Sequence, residues 1–181
     1  MVLSKKLNFI AILFVVFILF ATMGGCKRDI TTGALTIKMV DAPALFSALN
    51  VDITACEVHY AGSGKENDGW ITLPVRAGVY DLLELQNNVS LVLVDNRSLP
   101  TGRIDQLRIM LGDNNTIVND GVDYKLIVTD QTGIKINVDT EVKFHMRLEI
   151  ELDFDAQHSV IHMNGAYVLS PVIKVKSVMQ Y

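Results

Sequence analysis

Residues 142–154 read Val-Lys-Phe-His-Met-Arg-Leu-Glu-Ile-Glu-Leu-Asp-Phe, and this stretch decides the fold class. The seven even-numbered positions are apolar, and the six odd-numbered positions are polar or charged. Successive side chains of a β-strand point to opposite faces, whereas a helix of about 3.6 residues per turn would scatter these apolar residues around its circumference. The pattern therefore predicts one long strand from Val142 to Phe154, with one dry face and one solvated face.

Shorter segments of the chain repeat this alternation between turn signals. Over residues 49–60 the apolar phase changes from odd to even positions near Thr54-Ala55, which predicts a β-bulge. Asn119-Asp120-Gly121 separates two further segments and predicts a three-residue hairpin loop. Only residues 44–48 and 80–85 could form a turn of helix. About nine or ten strands without βαβ spacing predict an all-β, antiparallel β-sandwich.

The first residues of the chain are predicted to be a targeting signal rather than part of the folded domain. Lys5 and Lys6 precede residues 7–21, which are apolar at every position but Asn8. As a helix, this run would span about 22 Å, short of the ~30 Å hydrocarbon core, which favours a cleaved signal over a permanent span. The alternative is an uncleaved anchor that runs to Gly25, but glycines at a lipid-facing helix end fit it poorly.

Gly24-Gly25-Cys26 follows this run and resembles the lipobox of bacterial lipoproteins. The resemblance implies cleavage after Gly25, diacylglycerol on Cys26 and acylation of the new amino terminus. Several acyl chains hold a soluble domain firmly at a membrane, whereas a single chain does so only marginally. We therefore expect a lipoprotein signal peptide over residues 1–25, a lipidated cysteine with a short tether over 26–32, and a β-sandwich domain over 33–181.

Composition argues against several classes of protein. Half of the 181 residues are hydrophobic, and 16 Lys+Arg against 20 Asp+Glu give a net charge of -4. A chain this apolar is not disordered, and its net negative charge predicts no nucleic-acid partner.

The chain has two cysteines, Cys26 and Cys56. If Cys26 carries lipid, Cys56 has no intrachain partner. Its apolar neighbours predict a buried, inert thiol rather than a nucleophile.

Four carboxylates at alternate positions are the first candidates for a site. They are Glu149, Glu151, Asp153 and Asp155. Neighbours on one strand face lie ~6.6–6.8 Å apart, so Asp153 and Asp155 could ligate a structural calcium, or two acids could serve an inverting glycosidase. The simpler interpretation is a solvated sheet face, since strand periodicity alone produces this spacing. A functional site would need Asp41 or Asp81 to approach Asp153 and Asp155.

The histidines and the single tryptophan are weaker candidates. His59, His145, His158 and His162 show no zinc-binding spacing, and we expect surface or hydrogen-bonded side chains. Trp70 could be a sugar-stacking platform at a loop edge, but as the only tryptophan it is expected to anchor the sandwich core. The sequence contains no Gly-x-Ser-x-Gly elbow, phosphate-binding loop or metalloprotease helix.

Short motifs follow one another in a fixed order along the chain. They are Asp41-Ala42-Pro43, Trp70, Tyr80-Asp81-Leu82-Leu83-Glu84-Leu85, Leu99-Pro100-Thr101-Gly102, Gln106-Leu107-Arg108-Ile109, Gly133-Ile134-Lys135-Ile136, Leu152-Asp153-Phe154-Asp155-Ala156, Ser159-Val160, and Gly165 with Tyr167, Leu169 and Pro171-Val172-Ile173. Over residues 33–178 they resemble a Bacteroidota-type bacterial lipoprotein family known as domain of unknown function 4382. The resemblance implies an envelope lipoprotein with an immunoglobulin-like or transthyretin-like β-sandwich, and it assigns no catalytic or binding residues.

These observations predict a non-catalytic, lipid-anchored binding or structural module of the bacterial outer membrane. It would present its loops and sheet edges to an envelope protein or a glycan, on either the periplasmic or the outer face. No cofactor is expected apart from the structural calcium considered above. Two alternatives are a carbohydrate-active or peptide hydrolase that uses the acidic strand, and a subunit of a surface appendage or uptake complex in which a neighbour completes a strand edge.

Overall fold

The computed structural model describes residues 31–41, 43–62, 69–87, 89–129 and 132–181. The expected signal peptide, Cys26 and all but the last two residues of the tether lie outside these described residues. Within them the chain forms thirteen strands, one 3₁₀-helix and one α-helix of four residues. The all-β class expected from the alternating sequence is confirmed.

The strands pair into two sheets. In chain order they are β1 (Thr32–Asp41), β2 (Ala48–Tyr60), β3 (Trp70–Leu73), β4 (Gly78–Asp81), β5 (Leu91–Pro100), β6 (Gly102–Leu111), β7 (Thr116–Asn119), β8 (Val122–Val128), β9 (Ile134–Val142), β10 (Arg147–Phe154), β11 (Val160–Met163), β12 (Ala166–Leu169) and β13 (Ile173–Gln180); the 3₁₀-helix spans Leu82–Leu85 and α1 spans Ala156–Ser159. The four-stranded sheet has the order β13-β10-β1-β5. The nine-stranded sheet has the order β11-β12-β8-β7-β2-β6-β9, with β3 and β4 also paired to β2.

Two strand pairs are parallel, which corrects the expectation of a wholly antiparallel sandwich. β1 runs parallel to β10, from Ala34 opposite Arg147 to Asp41 opposite Phe154, and β8 runs parallel to β12. Parallel neighbours need a long crossover rather than a hairpin, and here most of the nine-stranded sheet lies between β1 and β10 in sequence. Alternation reports which face is buried and not the direction of the neighbouring strand, so the sequence alone could not reveal this pairing.

One buried apolar cluster draws on both sheets. Ile37 on β1 and Ile150 on β10 face it from the four-stranded sheet, and Val58 on β2 and Ile109 on β6 face it from the other. All four are fully buried, and Phe154 is the largest side chain in the cluster. Each such burial is worth roughly 1.5–3 kcal/mol relative to exposure, so the core depends on both sheets remaining together.

The long strand predicted over residues 142–154 is in fact two strands. β9 ends at Val142, β10 begins at Arg147, and residues 143–146 form a turn closed by a hydrogen bond of 3.2 Å from the Met146 amide to the Lys143 carbonyl. The predicted dry face is correct at Val142 and from residue 148 onward.

The turn escapes prediction because its residue types do not signal one. His145 takes the left-handed conformation, with φ 58°, at a position where turns usually have Gly or Asn. Phe144 continues the apolar alternation in the sequence but is 55% exposed. Because Phe144 fills an apolar position of the alternating pattern, the sequence of the two strands and their turn reads like that of one continuous strand.

Other local predictions fare better. A register shift against β6 between Ile53 and Ala55 confirms the bulge near Thr54-Ala55. Asn119 pairs with Val122, so the hairpin loop is Asp120-Gly121 rather than three residues long. The two loop residues have φ of 51° and 76°, as a type I′ turn requires.

Helical structure was predicted only in part. The 3₁₀-helix lies within residues 80–85, as expected, and Asp81 caps it by accepting a hydrogen bond from the Leu83 amide. Residues 44–48 form no helical turn: residues 45–47 are a bend, and β2 begins at Ala48. α1 was not predicted, because its four residues are too few for a helical period to show.

Gly33 supplies a direct test of how the turn at residues 143–146 packs on β1. A Cβ at this position would lie 2.3 Å from the Lys143 carbonyl oxygen and 3.0 Å from that of Met146. Backbone atoms cannot rotate away, so we expect Gly33→Ala to lower the free energy of unfolding by about 1–3 kcal/mol in urea denaturation. Gly78→Ala is the matched control, since its Cβ would contact only the Tyr80 ring, at 3.7 Å. Equal losses in the two variants would contradict the prediction.

Candidate functional site

The acidic row of β10 is interleaved with lysines. Lys38 Nζ on β1 lies 2.9 Å from Glu149 Oε1, and Lys176 Nζ on β13 lies 3.0 Å from Glu151 Oε1. The hydrogen bond to Glu149 raises the pKa of Lys38 above its ordinary value. The row is therefore a charge-balanced sheet face, which agrees with the simpler of the interpretations drawn from the sequence.

Asp155 leaves this row and caps α1. Its carboxylate accepts a hydrogen bond of 3.1 Å from the His158 amide and lies 2.8 Å from Nδ1 of the His158 ring. The hydrogen bond from that ring lowers the pKa of Asp155 below its ordinary value. Asp41 is buried at the same corner and accepts a hydrogen bond of 3.1 Å from the Ala156 amide. The two carboxylates therefore hold the first turn of one helix.

The acids expected near a calcium ion are only partly brought together. Asp41 approaches Asp155, but Asp81 caps the 3₁₀-helix and accepts a hydrogen bond from the Leu49 amide instead. Asp153 lies opposite Lys174 on β13. Across the residues that the structure describes, no group of three or more His, Cys, Asp or Glu side chains could hold a metal ion. Calcium at Asp153 and Asp155 thus stays a prediction that this geometry does not strengthen.

The Cys56 thiol is part of the core. Cys56 is fully buried on β2, and burial raises its pKa to about 12. A thiol with this pKa stays protonated at neutral pH and is a poor nucleophile. The prediction of a buried core cysteine is confirmed.

The four histidines lie in four separate places and make no common site. Their contacts are Asp105 for His59 (Nδ1 to Oδ1, 2.5 Å), Phe144 for His145 (ring centroids, 3.8 Å), Asp155 for His158 (2.8 Å) and Tyr167 for His162 (ring centroids, 4.6 Å). His59 and His158 are hydrogen-bonded to a carboxylate, and His145 and His162 are exposed, which agrees with the surface or hydrogen-bonded histidines expected from the sequence.

Trp70 lies on the outer face of the nine-stranded sheet, so the prediction that it anchors the core is wrong. It is half-buried, and the Arg108 guanidinium carbon lies 4.3 Å from the centre of its ring. Glu57 holds that guanidinium through a hydrogen bond of 2.7 Å from Nε. A cation thus covers a ring face that a stacked sugar would need. The sequence could not show this, because β2, β3 and β6 bring the three residues together only in the fold.

An exposed apolar surface crosses three strands at one edge of the nine-stranded sheet. Ile127 on β8, Val168 on β12 and Ile161 on β11 are aligned in register. Ile127 is 53% exposed, Ile161 42%, and Met163, next on the same face of β11, 54%. We call Ile127, Val168, Ile161 and Met163 the apolar edge. Contiguous exposed apolar side chains of this kind mark interaction surfaces, whereas single ones do not.

The sequence carried a signal for this surface. Residues 160–163 read Val-Ile-His-Met and residues 166–169 read Ala-Tyr-Val-Leu, so both faces of each strand carry apolar side chains. A strand with one buried face needs only one apolar face. The excess of apolar residues was the missed indication that a second face is available for contact.

Fold and surfaces together define a β-sandwich with two mixed sheets, in which Asp41 and Asp155 hold the start of α1 and Cys56 lies in the core. The chain belongs to the family described as domain of unknown function DUF4382, whose model matches residues 32–171. This match confirms the domain family that the sequence motifs indicated. No curated protein and no solved structure matches the chain. In the part of the chain that is described, no helix has the length and apolarity to cross a membrane.

The lowered pKa of Asp155 predicts a pH-dependent contribution to stability. A carboxylate with a depressed folded pKa stabilises the fold above its unfolded pKa of about 3.9, and this contribution disappears as the pH falls through the folded pKa. Asparagine still caps a helix, so Asp155→Asn removes mainly the charge. We expect the variant to be less stable than wild type near neutral pH and the difference to shrink in acid, as measured by chemical denaturation across pH.

Asp153→Asn is the control for this experiment, because Asp153 lies opposite Lys174 on the exposed face and caps no helix. A stability difference for Asp155→Asn that stays constant from neutral to acid pH would contradict the assignment.

Proposed function

We propose that the protein is a lipid-anchored, non-catalytic interaction module of the bacterial outer membrane, tethered through Cys26, that binds a protein partner with the apolar edge. The apolar edge is the observation that carries the proposal, because it aligns aliphatic side chains across three adjacent strands, exposed on β8 and β11 and half-buried on β12. Such a surface is costly in water unless a partner covers it.

The lipid anchor is supported by the sequence before the domain and by where the domain begins. An apolar run leads to Gly24-Gly25-Cys26, and β1 begins at Thr32. At about 3.3–3.6 Å per residue, the six steps from Cys26 to Thr32 span at most about 22 Å. A tether of this length would keep the sandwich close to the membrane that holds the acyl chains.

The chemistry of the apolar edge favours a protein over a glycan. Ile127, Ile161 and Met163 offer aliphatic contact, whereas glycan recognition relies on polar groups beside an aromatic platform. β11 also stands at the end of the strand order, so an added strand could pair with its backbone while its side chains contact Ile161 and Met163. Completion of this edge by a neighbour agrees with the alternative of a subunit in a larger envelope complex.

The contacts of the acidic strand speak against the hydrolase alternative. An acid catalyst and its partner carboxylate must face a substrate, but Glu149 and Glu151 form ion pairs with Lys38 and Lys176. Asp155 is engaged at the start of α1. These groups stabilise the sheet and the helix, and we assign them no catalytic role.

The anchor is tested by metabolic labelling of cells that produce the full chain. A palmitate analogue should label the wild-type protein, and Cys26→Ala should abolish the label and move the protein out of the membrane fraction. Globomycin, which blocks the lipoprotein signal peptidase, should cause the uncleaved precursor to accumulate. Cys56→Ala is the matched control, because the buried Cys56 is not expected to carry lipid. Label retained in Cys26→Ala would refute the anchor.

The apolar edge is tested by photocrosslinking in the same cells. A photoreactive phenylalanine analogue in place of Ile161 should give a discrete adduct with another protein. The same analogue in place of the exposed Asp95 on β5 should not. Ile127→Asp, two strands further into the surface on β8, should strongly reduce the adduct at position 161. No adduct at position 161, or equal adducts at both positions, would argue against the proposed interface.

A further inference from the structure

The turn between β9 and β10 lies at the end of the sandwich where the chain enters β1. The His145 amide donates a hydrogen bond of 3.0 Å to the Thr32 carbonyl. Gly33 permits this close approach, because a Cβ there would lie 2.3 Å from the Lys143 carbonyl oxygen. The turn is therefore fixed to the last residue of the tether, Thr32, and packs on Gly33.

This turn exposes aromatic and cationic side chains together. Phe144 is 55% exposed and its ring stacks on His145, with the ring centroids 3.8 Å apart. Lys143 and Arg147 are exposed on either side. The backbone of Tyr181 pairs with that of Arg147 through hydrogen bonds of 3.0 and 3.1 Å, and its side chain is 61% exposed. We call Lys143, Phe144, His145, Arg147 and Tyr181 the tether end.

The composition of the tether end is that of a membrane-interface surface. Aromatic rings favour the headgroup level of a bilayer, and lysine and arginine beside them are attracted to anionic lipids. Residues 141–147 contain Glu141 as their one acid, against Lys143, Arg147 and a histidine, although the whole chain has a net charge of -4. This turn therefore carries two cations against one acid, whereas acids outnumber cations in the chain as a whole.

With lipid on Cys26, the path of the chain would bring this surface, and not the apolar edge, close to the membrane. The six steps from Cys26 to Thr32 reach at most about 22 Å, and the turn contacts Thr32 directly. β1 and β10 both run away from this end, in parallel, and β10 leads to α1 and β11 at the opposite end of the four-stranded sheet. The apolar edge therefore begins at the end of the domain away from the tether.

We propose that the tether end docks on the surface of the lipid bilayer, with Phe144 inserted at the interface and Lys143 and Arg147 against anionic headgroups. The acyl chains hold the protein in the membrane, and the docked end sets the orientation of the domain, so that the apolar edge is directed away from the lipid. This inference rests on the lipid anchor of the proposed function.

Depth-dependent fluorescence quenching tests the docking. The full lipidated protein carrying Trp70→Phe and Phe144→Trp would be reconstituted into vesicles of phosphatidylethanolamine and phosphatidylglycerol that contain brominated lipids. Tryptophan at position 144 should show blue-shifted emission and strong quenching by bromines near the headgroups. The matched control carries Trp70→Phe and Ile161→Trp, and its emission should remain unquenched. Circular dichroism would verify that both variants are folded.

Charge reversal tests the role of the cations. Lys143→Glu with Arg147→Glu, added to the Phe144→Trp protein, should reduce quenching by at least about twofold in these anionic vesicles. Lys174→Glu with Lys176→Glu changes the same number of charges on the face of the four-stranded sheet and should leave the quenching unchanged. Equal effects of the two charge reversals would overturn the assignment of Lys143 and Arg147.

Vesicle flotation separates failure of the anchor from failure of the docking. Protein that floats with the vesicles but shows equal quenching at positions 144 and 161 keeps its anchor and overturns the docking. Protein that does not float overturns both. A crosslink from position 144 to a protein in cells, together with no quenching in vesicles, would assign this surface to a protein partner and also overturn the inference.

Discussion

The pairing of β1 with β10 is the constraint on which the rest of the structure depends. β1 is flanked by β10 on one side and β5 on the other, so it lies inside the four-stranded sheet. Leu35, Ile37 and Met39 of β1 stand in register with Leu148, Ile150 and Leu152 of β10, and all six are buried. This pairing orients the sheet against the core. It also places two features at opposite ends of these strands: the turn that precedes β10 at one end, and the corner formed by Asp41 and Asp155 at the other.

The sequence predicted what depends on local alternation and missed what depends on distant neighbours. The dry face of β10, the bulge near Thr54-Ala55 and the buried Cys56 all follow from which side of a strand is apolar. The parallel direction of β10 and the position of Trp70 beneath Arg108 follow from partners far away in sequence. The turn at His145 was missed for a third reason, because a left-handed histidine and an exposed phenylalanine preserve the alternation of a continuous strand.

The structure altered our interpretation of the candidate site more than our interpretation of the fold. Sequence reasoning chose residues by their chemical type, and the structure assigns most of these residues to caps, ion pairs and packing. Asp155 is the example, since the carboxylate considered for calcium holds a helix start and an imidazole. The surfaces that carry the proposed function consist of aliphatic and aromatic side chains, which no catalytic motif would indicate. Only their exposure in the fold distinguishes them from core residues of the same types.

The distance in sequence between β1 and β10 has a consequence for biogenesis. A ribosome releases β1 first, and its central partner follows only after β2 to β9 have been synthesised. Sheets built from such remote pairings fold slowly, since the cost of closing the loop precedes the gain from contact. The four-stranded sheet therefore cannot close on a partial chain. For a protein that we propose is exported, this delay would keep the polypeptide in a translocation-competent state until nearly all of it has been made.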